Sequence, residues 1–170
     1  SIEPIERAGC YAPGGRFPLP SSALMTAIPA RVAGSSEVWI ASPRPAQATL
    51  AAAAIAGADG VLCAGGAQAI AALAYGIGGV SASDIVVGPG NRWVTAAKYI
   101  VSRHVAIDML AGPSELVALA DDTADPDVVA ADLLAQAEHD PDARAMLVTT
   151  DERLAEAVDC ALTRLLATLP

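Results

Sequence analysis

An α/β fold, a parallel sheet covered by helices, is what this sequence predicts, and three observations predict it. Short β-prone runs alternate with Ala-rich helical patterns for nearly the whole length, the order that parallel crossovers impose. Hydrophobic residues make up 54% of the 170 residues and aromatics only 4%, so the core is built from Ala, Val, Leu and Ile in closely approaching layers. Glycine-rich loops follow the first, third and fourth β-prone runs, where tight connections into helices are needed.

In chain order, Ala8–Ala12 is the first expected strand. The helix Ser21–Ala33 follows, with Ser21 or Ser22 placed to cap it and Pro29 placed to kink it. Then come strand Glu37–Ala41 and helix Pro45–Ala56, strand Gly60–Cys63 and helix Ala67–Tyr75, strand Asp84–Val87 and helix Asn91–Ser102, and strand Val105–Asp108. Leu110-Ala111-Gly112-Pro113 breaks the alternation between two strand-like runs and is the expected boundary between units 1–112 and 113–170. Beyond it lie strand Glu115–Ala120, helix Asp125–Glu138 opened by Asp125 and Pro126, strand Ala143–Thr149, and helix Asp151–Ala167 opened by Asp151 and Glu152. The first unit reads as an incomplete doubly wound, Rossmann-like domain and the second as part of a similar globule.

A formal net charge of -9 argues against nucleic acid and anionic membrane surfaces, because both draw on clustered Lys and Arg. The three cysteines, Cys10, Cys63 and Cys160, show no CxxC spacing and fit a reducing, cytoplasmic setting rather than a disulfide framework. The most apolar region, Leu50 to Val80, is interrupted by Asp59 and Gln68 and punctuated by glycines, so it reads as folded interior. Ser1 to Arg7 carries Glu3 and Glu6, so no signal peptide is expected there, and the lack of an initiating Met points to excision from a longer chain.

Ligands of open α/β sheets bind beyond the carboxyl ends of the strands. Three loops there are glycine-rich: Tyr11-Ala12-Pro13-Gly14-Gly15, Gly65-Gly66-Ala67-Gln68 and Gly88-Pro89-Gly90-Asn91. Glycine lets backbone approach a ligand, and the following helices offer free N–H groups suited to phosphate, so a dinucleotide fits such a rim. No G-x-G-x-x-G occurs, and each loop also reads as a plain tight connection. Tyr11 offers an aromatic face and a hydroxyl; Gln68 and Asn91 offer amides for a ribose or phosphate, or caps for their own helices.

In the second unit, Gln136 and His139 sit three apart in Gln136-Ala137-Glu138-His139 and project from one helix face, close enough to hold one ion or ligand. A His in a last helical turn also caps free carbonyls, and spacing leaves both readings open. Ser114, after Gly112-Pro113, lacks the surroundings of a triad nucleophile and reads as a hydrogen-bonding group. His104, the other histidine, reads as a cap or a solvated side chain, and Asp121-Asp122 and Asp140-Pro141-Asp142 read as solvated acidic loops.

Taken together, the motifs Tyr11-Ala-Pro-Gly-Gly15, Gly65-Gly-Ala-Gln-Ala-Ile-Ala-Ala-Leu-Ala74, Gly88-Pro-Gly-Asn91, Ile107-Asp-Met-Leu-Ala-Gly-Pro-Ser-Glu115 and Asp132-Leu-Leu-Ala-Gln-Ala-Glu-His139 closely resemble those of histidinol dehydrogenases. The resemblance runs from about Ile5 to Leu169. It implies a zinc-requiring homodimer that oxidises L-histidinol to L-histidine in two NAD-dependent steps, the last of histidine biosynthesis. By the same resemblance Tyr11, Gln68 and Asn91 are NAD-binding, Ser114 is a substrate contact, and Gln136 and His139 are zinc ligands that also meet the substrate. Zinc would orient the substrate and keep its amine unprotonated while NAD accepts hydride from the carbinol carbon.

The family's other zinc ligands, an Asp and a His, and its Glu-His pair for general-base work correspond to positions beyond Pro170, and a segment preceding the first unit is missing as well. The chain alone is therefore expected to make no NADH from histidinol and to bind zinc weakly, since two neutral ligands without an anionic partner make a poor site. Glu115 to Pro170 is expected to pack against absent segments and to expose apolar surface. Two alternatives stay open. Sulfopropanediol-type alcohol dehydrogenases share the glycine loops and the Gln-Ala-Glu-His segment, but Thr is expected at their equivalent of Ser114. The chain also reads as a non-catalytic nucleotide-binding or interaction module.

Overall fold

The computed structural model describes residues 5–14, 18–110, 114–139 and 141–169. It divides into two compact units, Ser1–Gly112 and Pro113–Pro170. Among the expected features, Glu3, Gly15, the break at Ala111-Gly112-Pro113 and Asp140 lie outside the described residues.

The first unit runs β1 (Arg7–Tyr11), α1 (Pro20–Val32), β2 (Glu37–Ala41), α2 (Gln47–Ile55), β3 (Gly60–Leu62), α3 (Gly66–Tyr75), β4 (Ile85–Val87), α4 (Arg92–Val101) and β5 (Ala106–Ile107). Its strands are all parallel, in the order β3-β2-β1-β4-β5. The chain moves outward from β1 through β2 to β3, then returns to lay β4 against the other side of β1. That reversal opens a crevice between the carboxyl ends of β1 and β4, where doubly wound sheets bind ligands.

Alternation along the strands feeds two cores. Ala8, Cys10, Ala12, Val38 and Ile40 meet Ala23 and Ala27 of α1 and Ala52 and Ala53 of α2 on one face. Tyr11, Ala41 and Val86 meet Ile70 and Leu73 of α3 and Val94 and Val101 of α4 on the other. Small side chains let the helices lie close: a Cβ on Gly9 would stand 2.7 Å from Ser83 Oγ and 3.0 Å from Leu73 Cβ. Burial pushes the Cys10 thiol up to about 11, although Thr26 bonds to it, so it remains neutral and inert.

The start of α1 differs from expectation. Leu19 is its N-cap without a side-chain bond and Pro20 is the first helical residue, so Ser21 and Ser22 lie inside the first turn. Proline at that position needs no N–H partner and has its φ already set, which moves the helix start ahead of the serines. Pro29 sits within a helix that continues to Val32.

The second unit holds β6 (Glu115–Ala120), α5 (Pro126–Glu138), β7 (Arg144–Thr149) and α6 (Glu152–Leu166), with β6 and β7 parallel in a two-stranded sheet. Asp125 and Asp151 cap α5 and α6 as expected, accepting from the N–H groups of Asp127 at 2.9 Å and Arg153 at 3.2 Å. One face of the sheet packs Leu116, Ala118 and Leu147 against Val129, Leu133, Leu154 and Val158. The other presents Val117, Leu119, Met146 and Val148 as exposed side chains, Leu119 at 83%. A parallel pair is ordinarily covered on both faces, so this face carries the apolar surface anticipated for the segment. Among the described residues, no helix is long and apolar enough to cross a membrane.

Candidate functional site

In the first unit the three glycine loops converge on the carboxyl edge of the sheet. Tyr11 touches two of them. Its hydroxyl accepts from the Gly66 N–H at 3.1 Å, and its carbonyl lies so close to Gly88 that a Cβ there would stand 2.2 Å from the oxygen. The ring itself is 4% exposed and belongs to the core, so the open stacking face expected of Tyr11 is not presented in this structure. The last residue of a central strand is packed on both sides, which the sequence alone did not reveal.

Asn91 is the N-cap of α4, where its Oδ1 accepts from the N–H groups of Trp93 at 3.1 Å and Val94 at 3.2 Å. These two groups are therefore not free for phosphate, and the exposed Asn91 offers its amide nitrogen instead. The helix α3 differs, because its N-cap Gly65 supplies no side-chain bond and Gln68 stands exposed in its first turn. Apart from the Gly66 N–H that Tyr11 holds, the first turn of α3 is therefore left without a side-chain cap.

Sequence reasoning missed an ion pair beside these loops, between a buried lysine and a carboxylate at the surface. Lys98 is 2% exposed, on the face of α4 that also carries Val94, Ala97 and Val101. Its Nζ donates to the Gly88 carbonyl at 3.0 Å and to the Asp108 carboxylate. Asp108 in turn accepts from the Gly88 N–H at 2.8 Å and the Met109 N–H at 2.7 Å. The signal was a lysine on an otherwise apolar helix stripe, since a buried ammonium needs polar partners for its charge.

Burial would raise the Asp108 carboxyl, but bonds from Lys98, Gly88 and Met109 outweigh it and hold the group below its ordinary range. Asp59 is lowered chiefly by the Val38 N–H and Asp84 by the Arg7 N–H, with desolvation opposing and Arg31 and Arg7 assisting. Depressed carboxylates confer stability that is complete above the ordinary value of 3.8 and is lost as pH falls through the lower folded values. A plot of Tm against pH for the chain should therefore fall steeply below about pH 4, and Asp84→Asn should flatten it. An unchanged Tm down to about pH 2 would remove these groups from the stability of the first unit.

In the second unit two residues chosen separately from the sequence are in contact. Gln136 Nε2 donates to Ser114 Oγ at 2.7 Å and to the Ser114 carbonyl at 3.1 Å. With its nitrogen turned to Ser114, the amide keeps its oxygen for another partner. His139 is the C-cap residue of α5, its N–H donating to the Gln136 carbonyl at 3.2 Å. Its backbone ends the helix, and the residue lines a groove of about 260 Å³ with Leu116, Ala118, Asp132, Ala135 and Gln136.

Other residues have plainer roles. The His104 ring stands edge-on to Tyr75 with centroids 5.8 Å apart. Asp121 closes a turn on the Thr123 N–H and hydroxyl. Among the described residues, no group of three or more His, Cys, Asp or Glu side chains is placed to hold a metal. The Gln136 oxygen and the His139 imidazole suit a borderline cation such as zinc, yet they supply only part of a coordination sphere.

The sequence model of the family described as histidinol dehydrogenase matches residues 1–170. The chain belongs to the histidinol dehydrogenase family. It is 62% identical over 159 residues to the histidinol dehydrogenase of Natronomonas pharaonis, covering 91% of this chain and 37% of that one. The Thermus thermophilus histidinol dehydrogenase is 54% identical over 170 residues, covering 99% and 41%. The crystal structure of histidinol dehydrogenase from Elizabethkingia anophelis superposes with a TM-score of 0.93 at 44% identity, over 98% of this chain and 40% of that one. The chain thus spans about 40% of the length of the histidinol dehydrogenases it matches.

Proposed function

We propose that this chain supplies the cofactor rim and one wall of the metal and substrate site of an NAD- and zinc-dependent histidinol dehydrogenase, which oxidises L-histidinol to L-histidine in histidine biosynthesis. The observation that carries the proposal is the Gln136–Ser114 contact beside His139, in a chain whose relatives are histidinol dehydrogenases. In this reading Gln136 and His139 hold zinc, and Ser114 orients the Gln136 amide and meets the substrate. When bound, zinc is a Lewis acid that fixes the substrate and keeps its amine neutral, and NAD takes up hydride.

The chain's own groups do the positioning. Tyr11 ties the β1 end to the start of α3 through the Gly66 N–H, which sets the approach of Gln68. Asn91 fixes the first turn of α4 beside the crevice between β1 and β4. Proton transfer is assigned to segments of the longer protein, as are the remaining zinc ligands. The whole protein is then a cytoplasmic homodimer, and the apolar face of Val117, Leu119, Met146 and Val148 packs against those segments.

Calorimetric titration of the chain with NAD tests the cofactor half. Saturable binding that weakens by about tenfold or more in Asn91→Ala and Gln68→Ala is expected, since each loses an amide contact worth roughly 1 to 2 kcal/mol. Unchanged binding in both variants would remove them from the cofactor site.

A further inference from the structure

Gly88 is the first residue of the loop that leaves β4 for α4, at the crevice where the strand order reverses. Both hydrogen-bonding groups of its backbone are held by a single ion pair. The N–H donates to Asp108 Oδ2 and the carbonyl accepts from Lys98 Nζ. Lys98 reaches the glycine from α4, the helix that the loop enters, and Asp108 reaches it from the end of β5. The loop is thereby pinned at its first residue by the pair and at its last by the Asn91 cap.

Packing alone does not account for this arrangement. Taking a lysine to 2% exposure carries a desolvation penalty that an ion pair commonly only offsets, and a pair of well-packed apolar side chains often stabilises a fold as well or better. What an apolar pair cannot do is hold both the N–H and the carbonyl of one residue, and with them the two peptide groups on either side of it. Glycine is free to leave φ +117 at little cost, so the pair is what fixes this residue close against the Tyr11 carbonyl.

We infer that Lys98 and Asp108 are positioning residues that hold the Gly88-Pro89-Gly90-Asn91 loop in its dinucleotide-binding form. This rests on the cofactor reading above. The pair touches no ligand itself and acts through the loop it fixes.

The test compares the chain with its Lys98→Met/Asp108→Leu double variant, which puts an apolar side chain in the buried Lys98 position and leaves neither charge without its partner. Three readings are taken: Tm, amide hydrogen exchange at Trp93 and Val94, whose N–H groups Asn91 caps, and NAD affinity by calorimetry. The expected result is a double variant that melts cooperatively, exchanges the two amides faster, and binds NAD about tenfold or more weakly, as a loop competent a tenth of the time would. A folded double variant with unchanged exchange and NAD affinity would overturn the positioning role while leaving the cofactor site standing. Absence of NAD binding to the unsubstituted chain would overturn both. If the double variant does not fold, Asp108→Asn gives the same readings, because its new amide cannot accept from the Gly88 N–H if its oxygen stays with Lys98.

Discussion

Replacing Gly88 by alanine is expected to remove a large share of the stability of the first unit. At φ +117 an L side chain is strained, a cost of about 1 to 3 kcal/mol. The new Cβ would also stand 2.2 Å from the Tyr11 carbonyl oxygen and 3.0 Å from that residue's backbone nitrogen. Relief requires β1 and β4 to separate where Cys10 pairs with Val87, adding an overpacking cost of about 1 to 3 kcal/mol. A total of roughly 2 to 6 kcal/mol is a large share of the 5 to 15 kcal/mol typical of a domain. Gly34→Ala is the control: φ is +92 there, but nothing lies within 4 Å of the added carbon. It should cost only the backbone strain, about 1 to 3 kcal/mol. Thermal melts followed by circular dichroism decide the matter, with Gly88→Ala far below Gly34→Ala; equal shifts would show that the contact with Tyr11 relaxes freely.

The second large effect concerns the groove of the other unit. In a hybrid histidinol dehydrogenase, this chain would replace the matching 41% of the Thermus thermophilus protein, to which it is 54% identical. There His139→Ala and Gln136→Ala should each lower oxidation of L-histidinol by more than about 100-fold and lower bound zinc. Outer partners of metal ligands are commonly worth about 10 to 100-fold, so Ser114→Ala should fall in that smaller range. Zinc content by mass spectrometry, read with NADH formation, separates metal loss from misfolding. Full zinc and full activity in His139→Ala would place the metal elsewhere and leave His139 as the end of a helix.

How far the sequence exposed this arrangement depends on whether a feature is local. The alternation of β-prone and Ala-rich runs was legible because each element is punctuated by its own signals, as with the Asp125 and Asp151 caps. Ser21 and Ser22 misled because Pro20, just before them, is an equally good start. Strand order was not legible: the reversal that puts β4 beside β1 lies in tertiary pairing, and no single run encodes it. In the site, the Gln136 and His139 spacing was visible along one helix, but the bond from Gln136 to Ser114 spans 22 residues and two elements. Lys98 left a trace as a lysine on the apolar stripe of α4, but its partner Asp108, past the end of β5, left none.

The most direct measurement is NADH formation by the hybrid protein, supplied with zinc and NAD and offered L-histidinol or sulfopropanediol in parallel. The predicted result is oxidation of L-histidinol with this chain's own residues in place and its loss in His139→Ala. A folded hybrid that ignores L-histidinol, or that oxidises it equally well without His139, would contradict the assignment.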